Sequence, residues 1–390
     1  MLNKLLVLFV VLSLGFNSFS QELSKKATVS VLTVEPGHEE LFAAFGHSAI
    51  RIQDSATGLD KVYNFGTYYY NQPYFYLNFA RGYLLYGLSV SKWQRFQGYY
   101  AYFNRQVEAQ YINLTQDQKQ KVFDFLENNA KPENSMYYYD YFYDNCATRI
   151  RDVFEQSLGD NIKIPQDYVS NPGQTVRQLT DTYIEEEFPW GKLGIDLCLG
   201  LPMDKHMSDY EYMYLPDYVN DAFKVSEIKS DSGWGKAVSK TEIILESRPV
   251  DVPKTMLTPF RAFSLVLLVG IMLLVIQLKM GKNFKLFDFL LFFITGLIGL
   301  LLLLLWTVTD HSAAAENFNL LWLLPTHLLV SFALFKRNTK RWVNWYIALL
   351  IPFSVLVLIF WKTFPQDLNE GFIPIVFLII VRSIAITLRK

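Results

Sequence analysis

Cysteine is almost missing from this chain. Cys146 and Cys198 are the two cysteines among 390 residues, so one disulfide at most can form and a disulfide-built scaffold is excluded. Histidine is nearly as scarce, at five residues. The cysteines and histidines lack the paired spacing of zinc ligands, so neither a metal nor an organic cofactor is expected. Charge is thin as well. Charged residues make up 19% of the chain and the net charge is −1, whereas a nucleic-acid binder carries a basic excess. Internal repeats and low-complexity tracts are also lacking, which sets solenoids and arrays aside.

What the chain has in quantity is apolar surface. Hydrophobic residues make up 51% of it, which leans towards a membrane protein. They concentrate at the two ends. Lys4, the run Leu5 to Leu14 and the small-x-small stretch Ser18-Phe19-Ser20 read as a secretory signal cleaved before Gln21. The apolar run is short for an uncleaved anchor. The chain from Gln21 onward is then expected outside the inner membrane.

From about Pro259 the sequence reads as five spans, near 260–278, 287–308, 320–335, 343–361 and 372–388. Lys279, Lys282 and Lys285 follow the first span. Lys336, Arg337, Lys340 and Arg341 follow the third, and Arg389 and Lys390 end the chain. The other loops hold Asp310, Glu316, Lys362, Asp367 and Glu370. The positive-inside rule therefore puts the basic loops and the C-terminus in the cytoplasm. The first span then enters from the outside, in agreement with the signal peptide. His327 and Arg382 are ionisable groups within spans. Arg382 lies close enough to the cytoplasmic end to snorkel. The residues Asp310, His311, Asn317 and Asn319 favour an ordinary polar turn over a docking element.

Between these ends the pattern is mixed. Strands are predicted at 27–34, 45–52, 61–65, 84–90 and 107–114, and helices at 92–103 and 116–129. The second helix opens on Thr115 and Gln118 with the spacing of a capping box. Strands and helices without regular alternation indicate an α+β domain. Tyr and Phe are dense between Tyr63 and Tyr143, as an acyl-chain groove or interfacial surface would require and as strand propensity alone would also produce. Residues 226–258, rich in Ser, Lys, Glu and Gly and closing on prolines, read as a linker. The expected division is a signal peptide at 1–20, an outer domain at 21–225, the linker at 226–258 and a membrane domain at 259–390.

The chemistry centres on Tyr143-Asp144-Asn145-Cys146-Ala147-Thr148-Arg149. Ile150, Val153, Phe154 and Leu158 follow at helical spacing, and Gly159 stops the run. Asp144 and Asn145 are good N-caps, which places Cys146 in the first turn of a helix. The macrodipole and the free N–H groups there favour a thiolate. His47, in Phe45-Gly46-His47-Ser48, is the candidate base. A lone histidine on an apolar strand is more often structural, and a lone cysteine more often simply buried. A third polar group is expected to fix the imidazole tautomer. Asn64 and Tyr63 on the next strand are candidates, with Ser48 and Glu39 behind them, and the residues leave that choice open. Asn145 and the Cys146 backbone N–H are candidate oxyanion donors.

Phe45-Gly46-His47 with Arg51, Tyr63-Asn64-Phe65-Gly66, Phe79-Ala80-Arg81-Gly82 and the Asn145-Cys146 segment resemble the Lnb-type lipoprotein N-acyltransferases. So do Leu199 to Asp204 and Tyr214 to Tyr218. The resemblance runs over residues 27–222, and the spans suit the family's membrane-bound members. A histidine followed by Asn-Cys on a helix is also similar to circularly permuted papain-like domains of the lecithin:retinol acyltransferase type. The resemblance implies a permuted papain-like Cys/His domain followed by an all-α membrane domain of five helices. It puts the nucleophile on Cys146 and the base on His47, and phosphate contacts on Arg149, Arg151 and Arg81. It implies a phospholipid acyl donor and, as acceptor, the α-amine of a diacylglyceryl-modified N-terminal cysteine of a lipoprotein. Two other readings compete. One is a membrane-anchored cysteine hydrolase, a peptidase, amidase or phospholipase. The other is a non-enzymatic binding module held by a Cys146–Cys198 disulfide.

Overall fold

A computed structural model describes residues 21–336 and 341–389. The expected signal peptide, and Arg337, Lys340 and Lys390, lie outside the described residues.

Alternating β-branched residues build the first half. In chain order the elements are β1 (Ala27–Val34), β2 (His47–Asp54), β3 (Leu59–Tyr68), α1 (Phe75–Arg81), β4 (Leu85–Lys92), α2 (Trp93–Tyr102), β5 (Val107–Ile112), α3 (Gln116–Asn129), β6 (Met136–Tyr138), α4 (Cys146–Leu158) and β7 (Ile162–Lys163). They continue through α5 (Val176–Ile184), α6 (Pro189–Cys198), α7 (Pro216–Val225), β8 (Glu227–Ser230), β9 (Gly233–Lys236) and β10 (Val238–Leu245). Seven strands form one antiparallel sheet in the order β10-β5-β1-β2-β3-β4-β6, and β7-β8-β9 form a second. Alternation divides the large sheet between two cores. Val29, Val31, Ile50, Ile52, Tyr63 and Phe65 face α3, α4 and α7. Leu32, Val34, Ala49 and Val62 face Trp93, Phe96 and Tyr100 of α2. The Thr115–Gln118 capping box forms as predicted.

The expected linker is folded over much of its length. Residues 227–245 supply β8, β9 and β10, and β10 closes the large sheet against β5. Its composition misleads because β10 is an edge strand with mostly exposed side chains, so Ser, Lys and Glu are tolerated there.

The membrane part comprises α8 (Pro259–Met280), α9 (Lys285–Val308), α10 (Thr326–Phe335), α11 (Arg341–Ile359) and α12 (Ile373–Thr387). Four helices are long and apolar enough to cross a membrane, or five spans if the pair Ser312–Leu321 and Thr326–Phe335, bent by 43°, counts as one. His327 at the start of α10 meets Thr295 Oγ1 at 3.1 Å. Thr295 is near the middle of α9, which is about 36 Å long at 1.5 Å per residue. So α10 is helical only alongside the half of α9 that begins at Lys285. Alongside the other half runs irregular chain, which is stable at such depth only when packed in protein. Arg382 does not snorkel. Its guanidinium is fully buried and pairs with Asp288 through Nε at 2.6 Å and Nη2 at 3.1 Å.

The polar loop 310–319 is a docking element, not a free turn. Asn319 Nδ2 donates to the Asp196 carbonyl at 2.9 Å and Asn317 Nδ2 to the Leu197 carbonyl at 2.8 Å. Gly200 N–H donates to Ala313 O at 2.8 Å. A Cβ at Gly200 would lie 1.9 Å from Ala315 O, so no other residue permits this approach. The Asp196 carboxylate accepts from Arg177 Nη1 at 2.5 Å and from Asn369 Nδ2 at 2.8 Å. Arg177 and Asp196 are each 2% exposed. An unpartnered charge at that depth costs about 3–5 kcal/mol. Arg177→Ala, which takes the guanidinium from the buried carboxylates of both Asp196 and Asp204, is therefore expected to lower the thermal midpoint of the full-length protein in detergent by many degrees. Lys224→Ala, which removes an exposed pair with Asp221, is expected to leave it within a degree or two.

Candidate active site

Asn145 begins α4 with extended backbone, and its side chain caps the helix by accepting from the N–H groups of Ala147 at 2.8 Å and Thr148 at 3.0 Å. The Asn145 amide also donates to the carbonyls of Tyr141 and Tyr214, each at 2.8 Å. With every polar atom committed, Asn145, one of the candidate oxyanion groups, serves here as a cap and has no donor left over. Cys146 follows as the first helical residue, half-buried and free, as is Cys198. The Cys146–Cys198 disulfide does not form, and Cys198 packs against the membrane core instead.

Two strands bring the other groups. Asn64 on β3 shares the α2-facing side of the sheet with Val62, and His47 opens β2 on that side, its ring stacked on Tyr100 at 6.3 Å between centroids. His47 Nε2 donates to Asn64 Oδ1 at 2.5 Å. The imidazole also hydrogen-bonds the Cys146 thiol. With Nε2 engaged by Asn64, Nδ1 is the nitrogen left for sulfur. Cys146 approaches because Gly66 carries no side chain. A Cβ there would be 3.3 Å from the Tyr139 ring and 3.5 Å from the Cys146 Cβ, on a backbone with φ of +81°. The pairing of β3 with β4 slips between Asn64 and Thr67, which turns the chain at this point.

The electrostatics favour an ion pair. Packing around the Cys146 sulfur opposes the thiolate. The charge and hydrogen bond of His47, with backbone N–H groups of Ser48 and Ala147, outweigh it and hold the thiol below its usual range. Packing likewise opposes the imidazolium of His47. The Cys146 charge and hydrogen bond, helped by Asn64, outweigh that and raise it, against the nearby Arg105. Cys198 has only burial acting on it, which pushes its thiol up. The site thus places a thiol whose ionised form is favoured beside an imidazole that Asn64 orients, an arrangement capable of acyl transfer through sulfur.

The remaining sequence candidates divide. Tyr63 is turned into the opposite core and donates its hydroxyl to Glu127, so it does not orient His47. Ser48 contributes through its backbone, since its hydroxyl is buried with no partner. Glu39 pairs with Arg105 at 3.4 Å. Arg149 is tied to Asp144 and lies over the Tyr137 ring at 4.1 Å. Arg151 pairs with Asp152 at 2.7 Å. Arg81 is exposed and lies over Tyr83 at 4.8 Å. Tyr100, Tyr139 and Arg105 enter the site unannounced by any motif. Among the described residues no group of His, Cys, Asp and Glu could hold a metal ion.

Alkylation by iodoacetamide reads this directly. Cys146 in the full-length protein is expected to react with an inflection below the free-thiol range of about 8.5, because a depressed thiol stays ionised as pH falls. His47→Gln should move the inflection upward. Asn64→Ala should slow the reaction about fivefold, the worth of one hydrogen bond of about 1 kcal/mol.

Comparison with known proteins supports both halves of the chain. Residues 16–182 match the family model described as the Lnb N-terminal periplasmic domain, and residues 251–390 match the Lnb transmembrane domain. No curated protein and no solved structure matches the chain.

Proposed function

The chain belongs to the Lnb family, and we propose that it is a lipoprotein N-acyltransferase working through a thioester on Cys146. Membership makes it a lipoprotein-modifying membrane enzyme with a periplasmic N-terminal domain. The observation that carries the finer reading is the Cys146–His47–Asn64 array on a domain locked to one end of the spans.

The Cys146 thiolate attacks an ester carbonyl of a phospholipid. The carbon–sulfur bond forms and the carbon–oxygen bond breaks, and His47 gives its proton to the leaving oxygen, releasing a lysophospholipid. The unprotonated α-amine of a diacylglyceryl-modified cysteine then attacks the thioester. The carbon–nitrogen bond forms, the carbon–sulfur bond breaks, and His47 takes the amine proton, restoring the ion pair. Because Asn145 occupies the Ala147 and Thr148 N–H groups, the Cys146 N–H is the donor of the first turn left for the oxyanion.

The same reading makes the outer domain a permuted papain-like fold. Its support is a nucleophile helix packed on an antiparallel sheet whose histidine strand precedes it in the chain. It also assigns a cleaved signal peptide at 1–20, five spans with the bent pair as the third, and a cytoplasmic C-terminus. The basic loops around Lys282 and Lys336 support that orientation.

The test supplies the full-length protein with phospholipid and a diacylated lipopeptide bearing a free α-amine. Mass spectrometry of the lipopeptide is expected to show one added acyl chain with wild type, and a loss of at least about a hundredfold with Cys146→Ser or His47→Ala. Release of free fatty acid or peptide cleavage without lipopeptide acylation would make the protein a hydrolase.

A further inference from the structure

A file of aromatic rings leads from Cys146 to the rim of the membrane part. It starts at Tyr139, which lies against Gly66 beside the sulfur. Tyr139 packs on Tyr86 at 4.6 Å between centroids, Tyr86 on Tyr68 at 5.8 Å, and Tyr68 on Tyr70 at 4.8 Å. Tyr70 packs on Phe75 at 5.1 Å, and Phe75 on Phe79 at 6.4 Å. Tyr139 and Tyr86 are half-buried, while Tyr70 is 62% exposed. On α1, where the file ends, Tyr76 is 81%, Leu77 55% and Phe79 44% exposed. No charged residue occurs from Thr67 to Ala80. In water such a surface is unfavourable.

Its position explains it. The α1 helix is tied to the loop that immediately follows α9. Asp310 N–H donates to Arg81 O at 2.8 Å, and His311 Nε2 donates to Phe79 O at 3.0 Å. The apolar run of α9 ends at Val308, so α1 lies at the level where the span leaves the bilayer. Tyrosine and phenylalanine at that level are stabilised by the interface. Arg81, the first charge after the run, closes the helix.

We propose that α1 lies in the periplasm-facing leaflet and that the rings from Phe79 to Tyr139 bind one acyl chain of a membrane phospholipid, with its ester carbonyl at Cys146. This rests on the acyl-transferase reading. The occupant is a bilayer lipid and not a soluble acyl carrier, because the exposed end of the file is continuous with the membrane rim.

The test is photo-crosslinking, which needs no turnover. A benzophenone amino acid replaces Tyr76, Tyr86 or, as reference on the small sheet, Trp234 in the full-length protein. Each variant is reconstituted in phosphatidylethanolamine–phosphatidylglycerol vesicles carrying an alkyne-tagged acyl chain. Positions 76 and 86 are expected to capture tagged lipid at least tenfold above position 234, equally in a Cys146→Ser background. Position 70 replaces 86 if the thermal midpoint shows that variant to be unfolded. Capture at 76 but not at 86 or 70 would overturn the acyl-chain site, and capture at neither would also remove α1 from the bilayer. Strong capture in a protein that acylates no lipopeptide would leave this site standing and sink the transferase instead.

Discussion

Asp196 is the constraint on which the arrangement of this protein depends. It is a carboxylate almost without water, and its charge is tolerated because Arg177, Lys192 at 3.4 Å and Asn369 reach it from different sides. Arg177 belongs to the outer domain and Asn369 to the segment before the last membrane helix, so one buried anion holds both halves. Backbone contacts from Gly200, Asn317 and Asn319 add direction to that attachment. A buried ion pair is a weak source of net stability but a strict source of geometry, since any displacement strands a charge. The outer domain is thereby held at a fixed height and angle over the spans. Chemistry on membrane-held substrates depends on such positioning more than on affinity.

The site itself is assembled by the same economy of backbone and cap. Asn145 is spent on starting α4, which frees Cys146 to stand in the first turn. Gly66 clears the space that any other residue would fill. The sheet then delivers His47 and Asn64 on one face. Cys146 and His47 each favour the other's charged form against the packing around them.

Much of this was legible in the sequence because it is local. The span of β1, the capping box of α3, and the N-cap and glycine stop of α4 depend on residues within a few positions of one another. Asn64 as the partner of His47 was one of several candidates. Period-two alternation separates it from Tyr63 only once the face of β3 is known. The larger failures are long-range. Arg382 read as a snorkelling residue because Asp288 is 94 positions away in the chain. The loop 310–319 read as an ordinary turn because its partners lie on α6, and β10 read as linker because its partner β5 alone makes it a strand. The α1 helix left no helical period, because its aromatic face meets the membrane rim and not a protein core.

The central claim is that Cys146 carries the acyl chain, and the intact mass of the protein after incubation with phospholipid alone tests it most directly. Without an amine acceptor the thioester should accumulate. The account predicts a mass increase of one acyl chain, located on the Cys146 peptide and removed by neutral hydroxylamine. An unmodified Cys146 under conditions where lipopeptide is acylated, or an acyl chain on any other residue, would contradict it.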